Sequence, residues 1–313
     1  MTESDVIVLG EPMLELSAAE SLETATDFHV SFSGDALNAA AASASAGAAT
    51  ALVSRVGDDE IGSRLLRYAA QLGVDASLVR RGPGPTGAYL VGADPEGDRD
   101  FVYLRSGSAA SMMTPDDLAA VPLDRPTVLL VSGIAMALSD GVAATVVEAA
   151  RRVVAAGGAV VYDPNYRRRL VDSETARGHL RQLAPLVTVA VPSCPADTEV
   201  LLGTSDAEIA ARRLIELGAR SAVVTRGSRG ALLYDQGSVV EVPAIPAPRV
   251  HDTTGAGDVF AGTLAAGLAR GPLTVELVRT ASAAAALSLA GQGGTGRLAT
   301  AAEVSAYLLS TAG

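Results

Sequence analysis

Apolar residues cluster into short runs at 6–9, 127–131, 159–162, 188–191 and 222–225, each four or five residues long. Runs of that length without alternation are what a strand buried on both faces requires, so they predict parallel strands. Between them, the stretches 60–72, 142–156, 174–183 and 207–217 repeat apolar residues every third or fourth position, as a helix with one buried face does. Strand and helix alternate, which predicts an α/β fold with a doubly wound, mostly parallel sheet.

Two stretches break the alternation. Segment 14–32, and the pair 87–93 and 99–105 joined by the turn-rich Asp94-Pro-Glu-Gly-Asp98, read as a small antiparallel sheet projecting from the main one. In the last third, a strand at 238–242 precedes helices at 257–268, 275–290 and 302–309. No internal repeat or low-complexity linker divides the chain. The expected organisation is one domain, 1–313, with lid segments at about 11–33 and 86–105.

Composition narrows the class. With 49% hydrophobic and 19% charged residues the chain can bury a core, which excludes a disordered protein. A net charge of -11 opposes non-specific binding to nucleic acid or anionic lipid, both of which need clustered cations. The single cysteine, Cys194, excludes a disulfide framework; without an activating histidine nearby in sequence it reads as a small half-buried residue. His29, His179 and His251 lack metal-ligand spacing and read as surface or packing residues. The first residues carry no basic stretch, and no apolar run approaches a membrane span, so a cytoplasmic protein is expected.

The chemistry concentrates in Asp252-Thr-Thr-Gly-Ala-Gly-Asp258-Val-Phe-Ala-Gly-Thr263, polar and glycine-rich before it turns helical. Gly255 and Gly257 let successive N–H groups, with Ala256 between them, converge at a helix start whose dipole favours an anion. That arrangement suits a phosphoryl group in transfer. Asp258, in the first helical turn, stands where a carboxylate could take the proton of an attacking hydroxyl. The plainer reading is a helix cap and a turn. No G-x-x-x-x-G-K-[ST] loop occurs, and Phe260 stands where a dinucleotide fingerprint needs a small residue.

Other segments gain meaning only together. Thr225-Arg-Gly-Ser-Arg-Gly230 follows a strand and could hold nucleotide phosphate or ribose, or could be a hairpin turn. Ser33-Gly-Asp35-Ala-Leu-Asn38 opens an alanine-rich helix, where Asp and Asn either cap it or bind sugar hydroxyls. Arg105 ends a lid strand and Arg167 follows Tyr162-Asp-Pro-Asn165 at the rim where open α/β sheets bind ligands. Two such arginines could clamp a carboxylate; alone, Arg167-Arg-Arg169 would be a solvated patch.

From about Val6 to Val304 the chain resembles the PfkB, or ribokinase-like, carbohydrate kinases, most specifically through Asp252-Thr-Thr-Gly-Ala-Gly-Asp-Val-Phe260. Within that family it is similar to 2-keto-3-deoxygluconate kinases, through Gly34-Asp-Ala-Leu-Asn38, Tyr103-Leu-Arg105, Gly107-Ser-Ala-Ala-Ser111 and Asp163-Pro-Asn-Tyr-Arg167. The resemblance implies a three-layer α/β domain and a β lid that closes over substrate and pairs with another subunit's lid. ATP and Mg2+ are implied, with K+ or another monovalent cation as a further candidate. Gly34, Asn38, Tyr89, Tyr103, Arg105 and Arg167 would line the sugar-acid pocket, with Asp258 the base and Gly255, Ala256 and Gly257 the anion hole. Asn165, Ser193, Thr225, Gly227 and Gly230 would face ATP. Metal ligands are not assigned. The family's Asn-x-x-Glu motif is not intact at 192–199, where Ser193 and Asp197 stand instead, and no Asp follows 258 to hold substrate as in some relatives. The alternatives are a kinase for a neutral sugar or nucleoside, and a non-catalytic sugar-binding regulator.

Overall fold

The computed structural model describes residues 4–92 and 100–311. Thirteen strands are present among them: β1 (Val6–Leu9), β2 (Met13–Ser17), β3 (His29–Ser33), β4 (Thr50–Gly57), β5 (Val79–Gly82), β6 (Ala88–Gly92), β7 (Asp100–Leu104), β8 (Val128–Ser132), β9 (Ala159–Asp163), β10 (Val189–Ala190), β11 (Ser221–Thr225), β12 (Ala231–Asp235) and β13 (Ser238–Val242). The α-helices are α1 (Asp35–Ser45), α2 (Glu60–Gln71), α3 (Gly133–Met136), α4 (Asp140–Ala155), α5 (Ser173–Leu183), α6 (Ala196–Leu202), α7 (Ala207–Glu216), α8 (Ala256–Leu268), α9 (Val275–Ser288) and α10 (Ala301–Ser310).

Nine strands form the main sheet in the order β13-β12-β11-β10-β9-β8-β1-β4-β5. It is parallel except at β12, which runs antiparallel to both neighbours. Successive residues of β1 face opposite sides, as the strand period dictates. Val6 and Val8 pack with α1, α2, α8 and α9, while Ile7 and Leu9 pack with α4, α5 and α7. These are the three expected layers.

β3, β2, β6 and β7 make a second, four-stranded sheet in that order. The expectation of an antiparallel sheet needs correcting. β2–β3 and β6–β7 are antiparallel hairpins, but they dock edge to edge through β2 and β6 in parallel, with Leu14 opposite Ala88. Both hairpins leave the main domain in the same direction, so the strands that meet run the same way. The anticipated turn at 94–98 lies outside the described residues.

Other differences are local. β10 spans two residues because Pro192 stops the ladder and the Thr188 side chain, not its backbone, receives the Val160 N–H at 3.0 Å. β4, β5 and β12 were not anticipated. The turn at 225–230 joins antiparallel β11 and β12, so it is a hairpin turn whatever else it binds. Cys194 is buried, with its Sγ 3.1 Å from Ser205 O.

One contact decides where the chemistry sits. α1, alanine at six of its eleven positions, lies against α8 at Gly262, where an added Cβ would stand 2.2 Å from Ala39 O. Backbone meets backbone there, and the N-terminal ends of both helices arrive at the rim of the parallel sheet beside each other.

Candidate active site

α8 begins on Gly255, whose φ of +78° is a left-handed conformation and whose Cβ, if present, would lie 2.5 Å from Gly294 Cα. Only glycine meets both conditions. The loop before it is anchored through Asp252, which accepts from Thr254 N and Gly293 N at 2.7 Å each. Among the described residues the N–H groups of Gly257 and Asp258 have no backbone acceptor, and a methyl group added at Gly257 would touch nothing. Open, unpaired amides at a helix start form an anion site.

Asp258 is buried at this point. Asn38 Nδ2 donates to its Oδ2 at 2.8 Å and Asn165 Nδ2 to its Oδ1 at 3.3 Å. Asn38 is itself oriented by Ser33 Oγ, 3.1 Å from its Oδ1. Burial, then the nearby Asp35 charge, push the Asp258 carboxyl up to about 7, opposed by the Asn38 bond, Arg167 and Asn165. A carboxylate poised near neutrality is what a general base needs.

Gly34, Asn38, Tyr89, Tyr103, Arg105 and Arg167 surround one pocket with Asp258 as its floor. Tyr89, Phe101 and Tyr103 form an aromatic wall on the lid, with ring centroids 5.9–6.3 Å apart. Two of these groups are already engaged. Tyr89 donates its hydroxyl to Glu15. Arg105, 8% exposed, binds Glu11 Oε2 through Nε at 2.6 Å, and Ser108 donates to the other Glu11 oxygen. Arg105 Nη2 is buried without a partner among the described residues. Burial pushes the Glu11 carboxyl up, and the Arg105 charge opposes that. The clamp of two free arginines therefore needs correcting: Arg105 carries its own counter-ion, and Arg167, which is exposed, supplies the uncompensated charge.

The residues expected to face nucleotide fall into two groups. Asn165, with φ +40°, sits in the pocket against Asp258. Ser193 and Thr225 pair at adjacent strand ends, and Gly227 and Gly230 follow in the hairpin turn. Gly227 is open, whereas a Cβ at Gly230 would lie 2.1 Å from Val242 O, so Gly230 is closely packed there. Asp197 connects the groups: its Oδ2 receives Ser193 N and Oγ at 2.7 and 2.6 Å, and its Oδ1 receives Tyr166 N at 2.8 Å. These three donors occupy both oxygens. Among the described residues no group of three or more His, Cys, Asp or Glu is arranged to hold a metal ion.

Glu11, Glu15 and Phe101 were not anticipated. Their signal was present, since Glu11 and Glu15 interrupt an otherwise apolar segment directly after β1, at the rim.

Residues 3–301 match the family model described as pfkB family carbohydrate kinase. The chain is 34% identical over 267 residues to 2-dehydro-3-deoxygluconokinase of Thermoproteus tenax, covering 82% of this chain and 79% of that protein. It is 32% identical to the enzyme of the same name from Dickeya dadantii, over 83% of this chain and 86% of that one. A chain described as a ribokinase II of E. coli, in complex with ATP and Mg2+, superposes with a TM-score of 0.89 at 25% identity, covering 98% of this chain and 100% of the other. The fold is that of the ribokinase-like enzymes. The chain belongs to the pfkB family of carbohydrate kinases, which transfer phosphate to a hydroxyl group. No helix among the described residues is long and apolar enough to cross a membrane.

Proposed function

We propose that this kinase uses ATP to phosphorylate the terminal hydroxyl of 2-keto-3-deoxygluconate or a closely related sugar acid. The observation that carries the acid is Arg105 Nη2, buried in the pocket wall without a partner among the described residues. A carboxylate there would satisfy it while Nε stays with Glu11, and Arg167 would add the net charge. The name shared by the Thermoproteus tenax and Dickeya dadantii relatives, 2-dehydro-3-deoxygluconate being the same compound, supports the same class.

In this proposal the acceptor hydroxyl lies against Asp258, which takes its proton as oxygen attacks the γ-phosphorus. The open amides of Gly257 and Asp258 at the start of α8 receive the charge of the phosphoryl group. Nucleotide runs from Asn165 past Ser193 and Thr225 to Gly227, whose open backbone leaves room for it. Magnesium, bound with ATP, supplies neutralisation of the phosphate charge, held chiefly by the phosphates and water. The aromatic wall of the lid excludes water that would otherwise hydrolyse ATP. Val102 and Leu104, exposed on β7, support the expectation that the lid meets a second subunit's lid.

Glu11 favours a second reading. By balancing Arg105 it makes the lid side less demanding of a charged ligand, which suits a neutral sugar or nucleoside. ADP release from Mg–ATP is to be measured with 2-keto-3-deoxygluconate, 2-keto-3-deoxygalactonate, 2-ketogluconate, fructose, ribose and adenosine. Preference for the keto-deoxy acids is expected; preference for a neutral acceptor would keep the kinase and discard the acid.

A further inference from the structure

Asp258 shares its surroundings with two carboxylates that phosphoryl transfer as proposed leaves unused. Asp35, Asp163 and Asp258 line a hollow of about 10 Å³ beside Ser132, walled otherwise by residues such as Val8, Leu9 and Leu130. Asp35 is 8% exposed. Ser132 donates to its Oδ2, and its Oδ1 is buried with no hydrogen-bond partner among the described residues. A buried carboxylate oxygen without a donor is costly, and such groups are few in folded proteins.

The placement is specific. Asp35 and Asn38 are three residues apart on α1, hence on one face. The same helical turn thus brings Asp258 a hydrogen-bond donor and a like charge. The close α1–α8 packing at Gly262 fixes the distance of both.

With Asp258 as the base, on which this rests, we propose that Asp35 is a positioning residue for the reaction. Anchored by Ser132 and facing Asp258 across the hollow, it supplies the negative charge that keeps the base avid for a proton. As the acceptor oxygen bonds to the γ-phosphorus, its proton passes to Asp258 and the phosphorus–oxygen bond to ADP breaks, the electron pair leaving with ADP. Other groups bear on the base as well. Asp163 and Arg167 face it from β9 and the following loop, and Tyr89 from β6. Burial and the Asp197 charge push the Asp163 carboxyl well above the usual carboxylate range, and the Arg167 charge opposes that.

The test is the pH dependence of kcat/KM in Asp35→Asn, using the best acceptor of the wild type. Removing the neighbouring charge lets Asp258 ionise more readily, so the acid limb moves to lower pH, and a weaker base lowers the plateau kcat several-fold. Asp35 also lines the acceptor pocket, so the deciding readout is the position of the acid limb and not acceptor KM. A limb that stays in place overturns the inference, whether or not the melting temperature falls. If Asp35→Asn does not fold, carboxyl NMR titration of the wild-type protein decides. Two coupled inflections at Asp258 support the pairing, and a single ordinary carboxylate inflection overturns it. Near wild-type turnover by Asp258→Asn would remove the base and this inference with it; an inactive Asp258→Asn beside an unmoved limb in Asp35→Asn sinks the inference alone.

Discussion

On the rim side of the pocket, α1, α8 and β9 crowd Asp35, Asp163 and Asp258 together with no cation among the described residues in an ion pair with any of them, whereas on the lid side Arg105 and Tyr89 arrive already bonded to Glu11 and Glu15. The rim holds electrostatic tension and the lid has discharged its own. A buried base beside a like charge takes a proton more readily, so tension belongs where chemistry occurs. A selecting surface must wait empty without collapsing, so its charges are tied to internal partners with one edge left for a ligand.

The largest effect should come from the rim. Asp258→Asn is expected to lower kcat by roughly two to four orders of magnitude with ATP affinity nearly unchanged, as measured by steady-state ADP formation and nucleotide titration. Turnover near wild type would show that the tension serves no chemistry.

Next comes the lid. Arg105→Ala leaves the Glu11 carboxylate buried with the Ser108 hydroxyl but no counter-ion, and should destabilise the fold by about 3 kcal/mol in chemical denaturation, the low end for a broken buried pair because Glu11 can take up a proton. The double change Arg105→Gln with Glu11→Gln should recover most of that loss. If the single and double variants are equally stable, Arg105 is not discharged by Glu11.

Gly262→Ala tests the connection between the walls and the core. Its Cβ would meet Ala39 O at 2.2 Å, so α1 and α8 must part, at a cost of about 1–3 kcal/mol as for overpacking, with Asn38 drawn off Asp258. kcat should fall more than acceptor affinity. The smallest change is expected from Arg167→Ala. Its charge opposes the raised proton affinity of Asp258, so its loss should move the acid limb of kcat/KM, near pH 7 in the wild type, to higher pH. That is opposite in sign to Asp35→Asn, and a shift in the same direction would refute the charge balance drawn for the rim.

What could be read from sequence followed the range of the interactions. β1, β8, β9 and β11 are continuous apolar runs, and Asp258 lies inside a local string of glycines, so both were legible. The parallel meeting of β2 with β6 was not, because it depends on two hairpins docking across 70 residues or more of chain. Glu11 and Arg105 are 94 positions apart, and Tyr89 and Glu15 are 74 apart. Nothing local announces such pairs, and for that reason the arginine clamp looked free of counter-ions. β12, apolar and next to a glycine turn, was missed because that turn was weighed for ligand binding. Asp35 was visible as a helix-boundary residue, but its unpartnered oxygen belongs to the packed structure alone.

The most direct test of rim chemistry with lid selection is kcat/KM for 2-keto-3-deoxygluconate and for fructose, measured side by side in wild type and in Arg105→Gln with Glu11→Gln. The wild type should prefer the acid by about tenfold or more, the worth of one charged hydrogen bond, and the double variant should lose most of that preference, Arg167 keeping the remainder, while its kcat on fructose persists. Equal turnover of the two acceptors by the wild type, or loss of both in the variant, would contradict it.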